Sequence, residues 1–136
     1  MTDPGSPGSS GTSVLDTSAV IAYMLREPGW EKVQRSLSGG LLSTVNLCEV
    51  LSKFSERGEK AETILSDVLE LGVELIAFTP AQALSAAMLR PVTRHLGLSL
   101  GDRACIALGL ERAATVLTAD PAWAGLEAPH QITVIR

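Results

Sequence analysis

Four acids stand where an acid is costly to place. Asp16 ends the apolar run Ser13-Val14-Leu15-Asp16 and leads at once into Thr17-Ser18-Ala19. Asp120 repeats that layout at the end of Thr115-Val116-Leu117-Thr118-Ala119-Asp120, with Pro121 next. Glu49 is embedded in the apolar helical stretch Val45-Asn46-Leu47-Cys48-Glu49-Val50-Leu51. Asp102 opens another, Gly101-Asp102-Arg103-Ala104-Cys105-Ile106-Ala107-Leu108. No basic residue stands beside all four in the sequence, so the simplest shared partner is a divalent cation. Two carboxylates about 4 Å apart repel by about 4 kcal/mol at an effective dielectric near 20. A common pocket therefore needs protons or cations. An all-oxygen donor set favours hard ions, Mg²⁺ or Mn²⁺, over zinc. Such ions activate water and stabilise charge on a phosphate during in-line displacement. Thr17, Ser18 and Thr118 are placed to orient carboxylates or bound water; the plain reading of all three is ordinary helix capping, and for Thr17 that reading leads.

Each acid also has an ordinary reading. Asp16 before Thr-Ser-Ala is an N-cap. Asp120 is an N-cap followed by proline at the first helical position. Asp102 is a first-turn acid favoured by the helix dipole. Glu49, with Leu47, Val50 and Leu51 around it, belongs at the edge of a buried face. Four such residues at strand ends and helix starts weigh towards one site.

The elements that must position them alternate. Short β-like runs cover 12–15, 41–44, 73–78, 115–118 and 132–135. Helical patterns cover 19–25, 30–37, a stretch capped by Thr44 or Asn46 and running to about Arg57, 59–71, 80–95, and one opened by Ser99 or Gly101 that runs through Arg112. One or two helical turns fit 121–126. Glycines at 39–40, 58, 72 and 97 punctuate the pattern. Strands separated by helices predict βαβ units, an α/β fold and a mainly parallel sheet covered on both faces. In such sheets ligands sit beyond the carboxyl ends of the strands, near a topological switch point. Asp16 and Asp120 occupy two of those ends and become neighbours if the first and fourth strands pair.

At 136 residues and 46% hydrophobic content the chain is one globular domain with a substantial core. No apolar run approaches the roughly 18–20 residues of a membrane span. Met1–Gly11 is mostly Gly, Ser and Pro, with one Asp among them. It is expected to be a mobile leader without the features of a secretory signal, ahead of a domain over 12–136. The cytoplasm is then the default compartment, where Cys48 and Cys105 fit as reduced, buried thiols. The net charge of −4 counts against a broad basic nucleic-acid surface but allows a nuclease whose acids are masked by metal. Arg90 and Arg94, one helical turn apart, with Arg103 and Arg112 further on, form a local basic group that could contact nucleic acid or is simply a solvated face. His95 and His130 lack partners at metal-binding spacing and read as surface residues; Trp30 and Trp123 read as packing residues. No Ser-His-Asp arrangement and no Walker or dinucleotide phosphate loop is present. A strand-end phosphotransfer Asp is excluded as well. Haloacid-dehalogenase-like phosphatases need Asp-x-Asp where this chain has Asp16-Thr17-Ser18, and receiver domains need an acidic pair near the first strand.

Leu15-Asp16-Thr17-Ser18-Ala19, Asn46-Leu47-Cys48-Glu49-Val50, Leu98-Ser99-Leu100-Gly101-Asp102-Arg103 and Leu117-Thr118-Ala119-Asp120, in that order, resemble the acidic motifs of PIN-domain ribonucleases. Within that family the chain is similar to VapC-type toxins of bacterial toxin–antitoxin pairs. The resemblance covers essentially everything after the leader. It implies a three-layer α/β/α fold around a parallel sheet of about five strands. It implies Mg²⁺- or Mn²⁺-dependent cleavage of RNA, with Asp16, Glu49, Asp102 and Asp120 as catalytic residues and Asp16, Asp102 and Asp120 as metal ligands. It further implies a homodimer and a cognate VapB-type antitoxin, and no membrane. The alternative left open is a PIN-like RNA-binding or regulatory module without nuclease activity. One departure is visible. Many relatives carry another acid just after the last motif, whereas Asp120-Pro121-Ala122-Trp123 has none, which implies a weakly held second metal.

Overall fold

The structure, a computed structural model, describes residues 12–126 and 131–136. The expected leader and His130 lie outside the described residues. The strands are β1 (Ser13–Leu15), β2 (Leu41–Ser43), β3 (Glu74–Ile76), β4 (Thr115–Thr118) and β5 (Ile132–Val134). The helices are α1 (Thr17–Leu25), α2 (Trp30–Gln34), α3 (Thr44–Glu56), α4 (Ala61–Glu70), α5 (Pro80–Thr93) and α6 (Leu100–Arg112), with 3₁₀ turns at Arg94–Leu96 and Pro121–Gly125. The strands form one parallel sheet in the order β3-β2-β1-β4-β5.

Adjacent residues of a strand face opposite sides of a sheet, and both sides here are apolar. Leu15, Leu42, Leu117 and Ile135 join Ala19, Val20, Val33, Val50, Phe54, Ile64 and Val68 of α1 to α4 in one core. Val14, Leu41 and Val116 join Leu89, Cys105, Ile106, Leu108 and Trp123 in the other. The result is the expected three-layer α/β/α architecture, with α1–α4 on one face and α5–α6 on the other. Chain order explains the division. The sheet grows from β1 through β2 to β3, then the chain returns across the opposite face to lay β4 on the free edge of β1. This reversal between β1 and β4 is the switch point where α/β folds place ligands.

Several local expectations change. Ser43, rather than Thr44 or Asn46, caps α3, its Oγ accepting from the Val45 amide at 3.2 Å. Asn46 lies a turn inside the helix and is fully buried. Cys105 is buried as expected, but Cys48 is exposed. The buried stripe of α3 is Asn46, Val50 and Phe54, and a residue two positions from that stripe is rotated by about 200° to the solvent side. Trp123 is fully buried. Trp30 is partly buried against Tyr23, with the Arg26 guanidinium 4.5 Å from each ring. Among the described residues no helix is long and apolar enough to cross a membrane.

Candidate functional site: four acids at the β1–β4 switch point

β1 and β4 pair in register from Ser13 with Thr115 to Leu15 with Leu117, and the Asp16 amide continues the ladder to the Leu117 carbonyl at 2.9 Å. Asp16 is thereby fixed at the carboxyl edge of the sheet, only 3% exposed. It caps α1 through one oxygen. Oδ2 accepts from the Ser18 amide at 3.3 Å, the Ser18 hydroxyl at 2.6 Å and the Thr118 hydroxyl at 3.1 Å. The hydroxyls are themselves oriented by β4 and the residues after it, because Ser18 Oγ accepts from the Ala119 amide and Thr118 Oγ1 from the Asp120 amide. Each hydroxyl carries one proton, so accepting there leaves the proton free for Asp16. The other Asp16 oxygen, Oδ1, is buried with no partner. Burial pushes the Asp16 carboxyl up to about 6 from its usual 3.8, helped by the charge of Asp102 and opposed by the bonds from Ser18 and Thr118.

Glu49 is half-buried on α3. Its Oε1 accepts from the Thr17 hydroxyl at 2.6 Å, so Thr17 orients a carboxylate while Asp16 does the capping. Asp102 occupies the first turn of α6 in a capping box with Ser99: its Oδ2 accepts from the Ser99 amide at 2.9 Å, and the Asp102 amide donates to Ser99 Oγ at 3.1 Å. Burial raises its carboxyl as well, with Glu49 and Asp120 adding repulsion against the Ser99 bonds. Asp120 is exposed and caps the following 3₁₀ turn, Oδ1 accepting from the Ala122 amide at 3.0 Å. Cys105 lies beneath them. Its thiol is pushed up first by burial, then by the charges of Asp16, Asp102 and Glu49.

The structure thus brings all four acids into one electrostatic neighbourhood, and the ordinary readings hold at the same time, Asp16 and Asp120 as N-caps and Asp102 as a first-turn acid. It does not present a finished cage. Among the described residues, no group of three or more His, Cys, Asp or Glu side chains is arranged to hold a metal ion as it stands. Hydrogen bonds turn Asp102 towards the Ser99 amide and Asp120 towards the Ala122 amide. Each bond engages one carboxylate oxygen and leaves the second for another ligand. The fit to a hard cation rests on Asp16: a buried, unpartnered carboxylate oxygen among three further acids is the donor chemistry that Mg²⁺ or Mn²⁺ takes.

The basic residues separate. Arg90 and Arg94 are exposed at the end of α5 and in the turn after it. The α5–α6 hairpin carries that end back to the start of α6, beside Asp102. Arg103 is half-buried and donates through Nη1 to the Ala86 carbonyl at 3.0 Å, which ties α6 to α5. Arg112 pairs with Glu111 at 3.6 Å in the last turn of α6, about 15 Å along the helix from Asp102 and next to the amino edge of the sheet. His95 is exposed. Sequence reasoning passed over Asn46, treating it only as a possible cap. The signal was present as an amide three residues before Glu49 on the same helical face.

No curated protein matches the chain. Among solved structures, a toxin–antitoxin complex from Klebsiella pneumoniae superposes with a TM-score of 0.70 at 16% identity, covering 92% of this chain and 98% of that one. VapBC2 from Rickettsia felis, bound to a DNA fragment from its promoter, gives 0.69 at 17% identity, covering 90% and 98%. VapBC-5 from Mycobacterium tuberculosis gives 0.55 at 21% identity, covering 93% and 98%. At these identities the likeness is one of fold. The family pattern described as the PIN domain matches residues 13–128, a span that contains β1, the four acids and the switch point between β1 and β4, and the chain belongs to the PIN-domain family.

Proposed function

We propose that this chain is a Mg²⁺- or Mn²⁺-dependent endoribonuclease acting as the toxin of a toxin–antitoxin pair, cleaving cellular RNA and so stopping translation and growth. The observation that carries the reading is Asp16: a buried carboxylate at the switch point, held by three hydrogen bonds on one oxygen and unpartnered on the other. Asp16, Asp102 and Asp120 are assigned as ligands of the cation, and Glu49 as the fourth acid of the catalytic set. A cation there would activate water and neutralise charge on the phosphate under attack. Ser18 and Thr118 orient Asp16, and Thr17 orients Glu49. Arg90 and Arg94 stand at the same end of the molecule, where they can meet RNA phosphates; Arg103 and Arg112 complete the proposed RNA-binding group by contacts further from the acids.

The toxin role is supported by likeness of fold to proteins described as toxin–antitoxin complexes. The assigned partners are RNA, a second copy of the chain and a VapB-type antitoxin, with the cytoplasm as the place of action. An arginine from the antitoxin would pair bidentately with the acids and keep the cation out. Expression of the free chain is expected to halt growth, and co-expression of the neighbouring antitoxin to restore it. Normal growth of several hosts expressing intact, folded chain would refute the toxin role. Intact RNA in a cleavage assay with Mn²⁺, alongside measured RNA binding, would return the chain to a binding module.

A further inference from the structure

We infer that Asn46 is a positioning residue that locks Glu49 and the first turn of α6 onto the start of α1, through an amide that serves the site rather than the core. The inference rests on the cation-site reading above. Asn46 has no exposed surface. Its Nδ2 donates to Thr17 Oγ1 at 3.0 Å and to the Gly101 carbonyl at 3.1 Å. Those bonds use both amide protons. They also fix which way the amide faces, since the reverse orientation would set two carbonyl oxygens against each other.

The consequence passes through Thr17. Its hydroxyl has one proton and accepts from Asn46, so it must donate elsewhere. Glu49 Oε1 at 2.6 Å is a far better acceptor than the Asn46 backbone carbonyl at 3.5 Å. Asn46 therefore sets the direction of the relay Asn46 to Thr17 to Glu49. Its other bond holds Gly101, the residue before Asp102. A β-carbon at Gly101 would overlap the Glu49 carboxylate, so Glu49 lies directly over the backbone that Asn46 grips. One buried amide thus joins the segments that carry Asp16, Glu49 and Asp102.

Core packing alone does not call for an amide there. The other buried residues of the α3 stripe are Val50 and Phe54, and Asn46 Oδ1 is buried without a partner. An apolar side chain would avoid that unsatisfied acceptor, losing only the two bonds to Thr17 and Gly101 that serve the site.

Asn46→Leu and Asn46→Ala separate the two roles, with Val50→Ala as the core control and Asp16→Asn as the site control. Mn²⁺ affinity is measured by calorimetry and folding by thermal melts. Asn46→Leu is expected to stay folded yet bind Mn²⁺ about tenfold more weakly, the scale of losing a group that orients ligands. Val50→Ala should melt lower and bind Mn²⁺ like wild type. If Asn46→Leu is unfolded, Asn46→Ala carries the same expectation for affinity. Thr17→Val added to either variant should cost little more, because both act through one relay. Wild-type Mn²⁺ affinity in a folded Asn46 variant, with weakened binding in Asp16→Asn, would overturn the assignment alone. Wild-type affinity in both would overturn the cation-site reading with it.

Discussion

Replacing Asp16 by Asn should stabilise the cation-free protein, and the gain should depend on pH. The Asp16 carboxyl is raised from 3.8 to about 6 in the folded chain. Between those values the folded state holds a proton that the unfolded state has lost. Wild-type stability therefore falls as pH rises from about 4 to about 6, and stays lower above that. The gap between the two values, at about 1.4 kcal/mol per pH unit, is about 3 kcal/mol. Asp16 is 3% exposed, so solvent screening removes little of it. Asn keeps an oxygen to accept from Ser18 and Thr118, but it puts an amide where Oδ1 now has no partner, at a cost of about 1 kcal/mol. The net gain near pH 7.5 is about 2 kcal/mol, or roughly 5–8 °C in Tm for a domain of this size. Urea melts in EDTA at pH steps from 3.5 to 7.5 test the reasoning. The difference between variant and wild type should open between about pH 4 and 6.5. A variant less stable than wild type at pH 7.5, or a difference that does not change with pH, would refute it.

Mn²⁺ at a hundred times its dissociation constant should stabilise the wild type by about 2.7 kcal/mol; Glu49→Gln should reduce that rise in Tm, and an unchanged wild-type melting curve would count against the site. Gly101→Ala should leave the fold intact or slightly firmer, since it places alanine in a helical turn and the atom in its way is the movable end of Glu49. Displacing Glu49 should nevertheless abolish most RNA cleavage, so full activity would remove Glu49 from the site. Arg90→Ala with Arg94→Ala should weaken RNA binding and flatten its dependence on salt by about two counterions; an unchanged slope would make them plain surface residues.

Much of the fold was legible because both faces of the sheet are apolar. In a strand, both members of Val14-Leu15, Leu41-Leu42 and Val116-Leu117 are buried only if the sheet is covered on both sides. The pairing of β1 with β4 then links Asp16 to the Asp120 segment through the Thr118 hydroxyl, which donates to Asp16 and accepts from the Asp120 amide. What escaped depends on contacts between distant segments. That Asn46 reaches Gly101, 55 residues away, follows from how α3 and α6 pack, and no local pattern encodes it. The exposure of Cys48 turned on the helical phase, which Asn46, a polar member of the buried stripe, disguised. The distance of Arg112 from the acids follows from the length and direction of α6. The caps were readable singly, but a sequence cannot show that one carboxylate serves both as a cap and as a ligand, using a different oxygen for each.

If Asp16 anchors a cation that drives RNA cleavage, purified chain should show it when its cuts in total cellular RNA are mapped. Discrete cuts are expected in Mn²⁺ or Mg²⁺, none in EDTA, and none with Asp16→Asn under conditions where that variant melts at or above the wild-type temperature. Cuts of the same positions and rate from Asp16→Asn, or from wild type in EDTA, would contradict it.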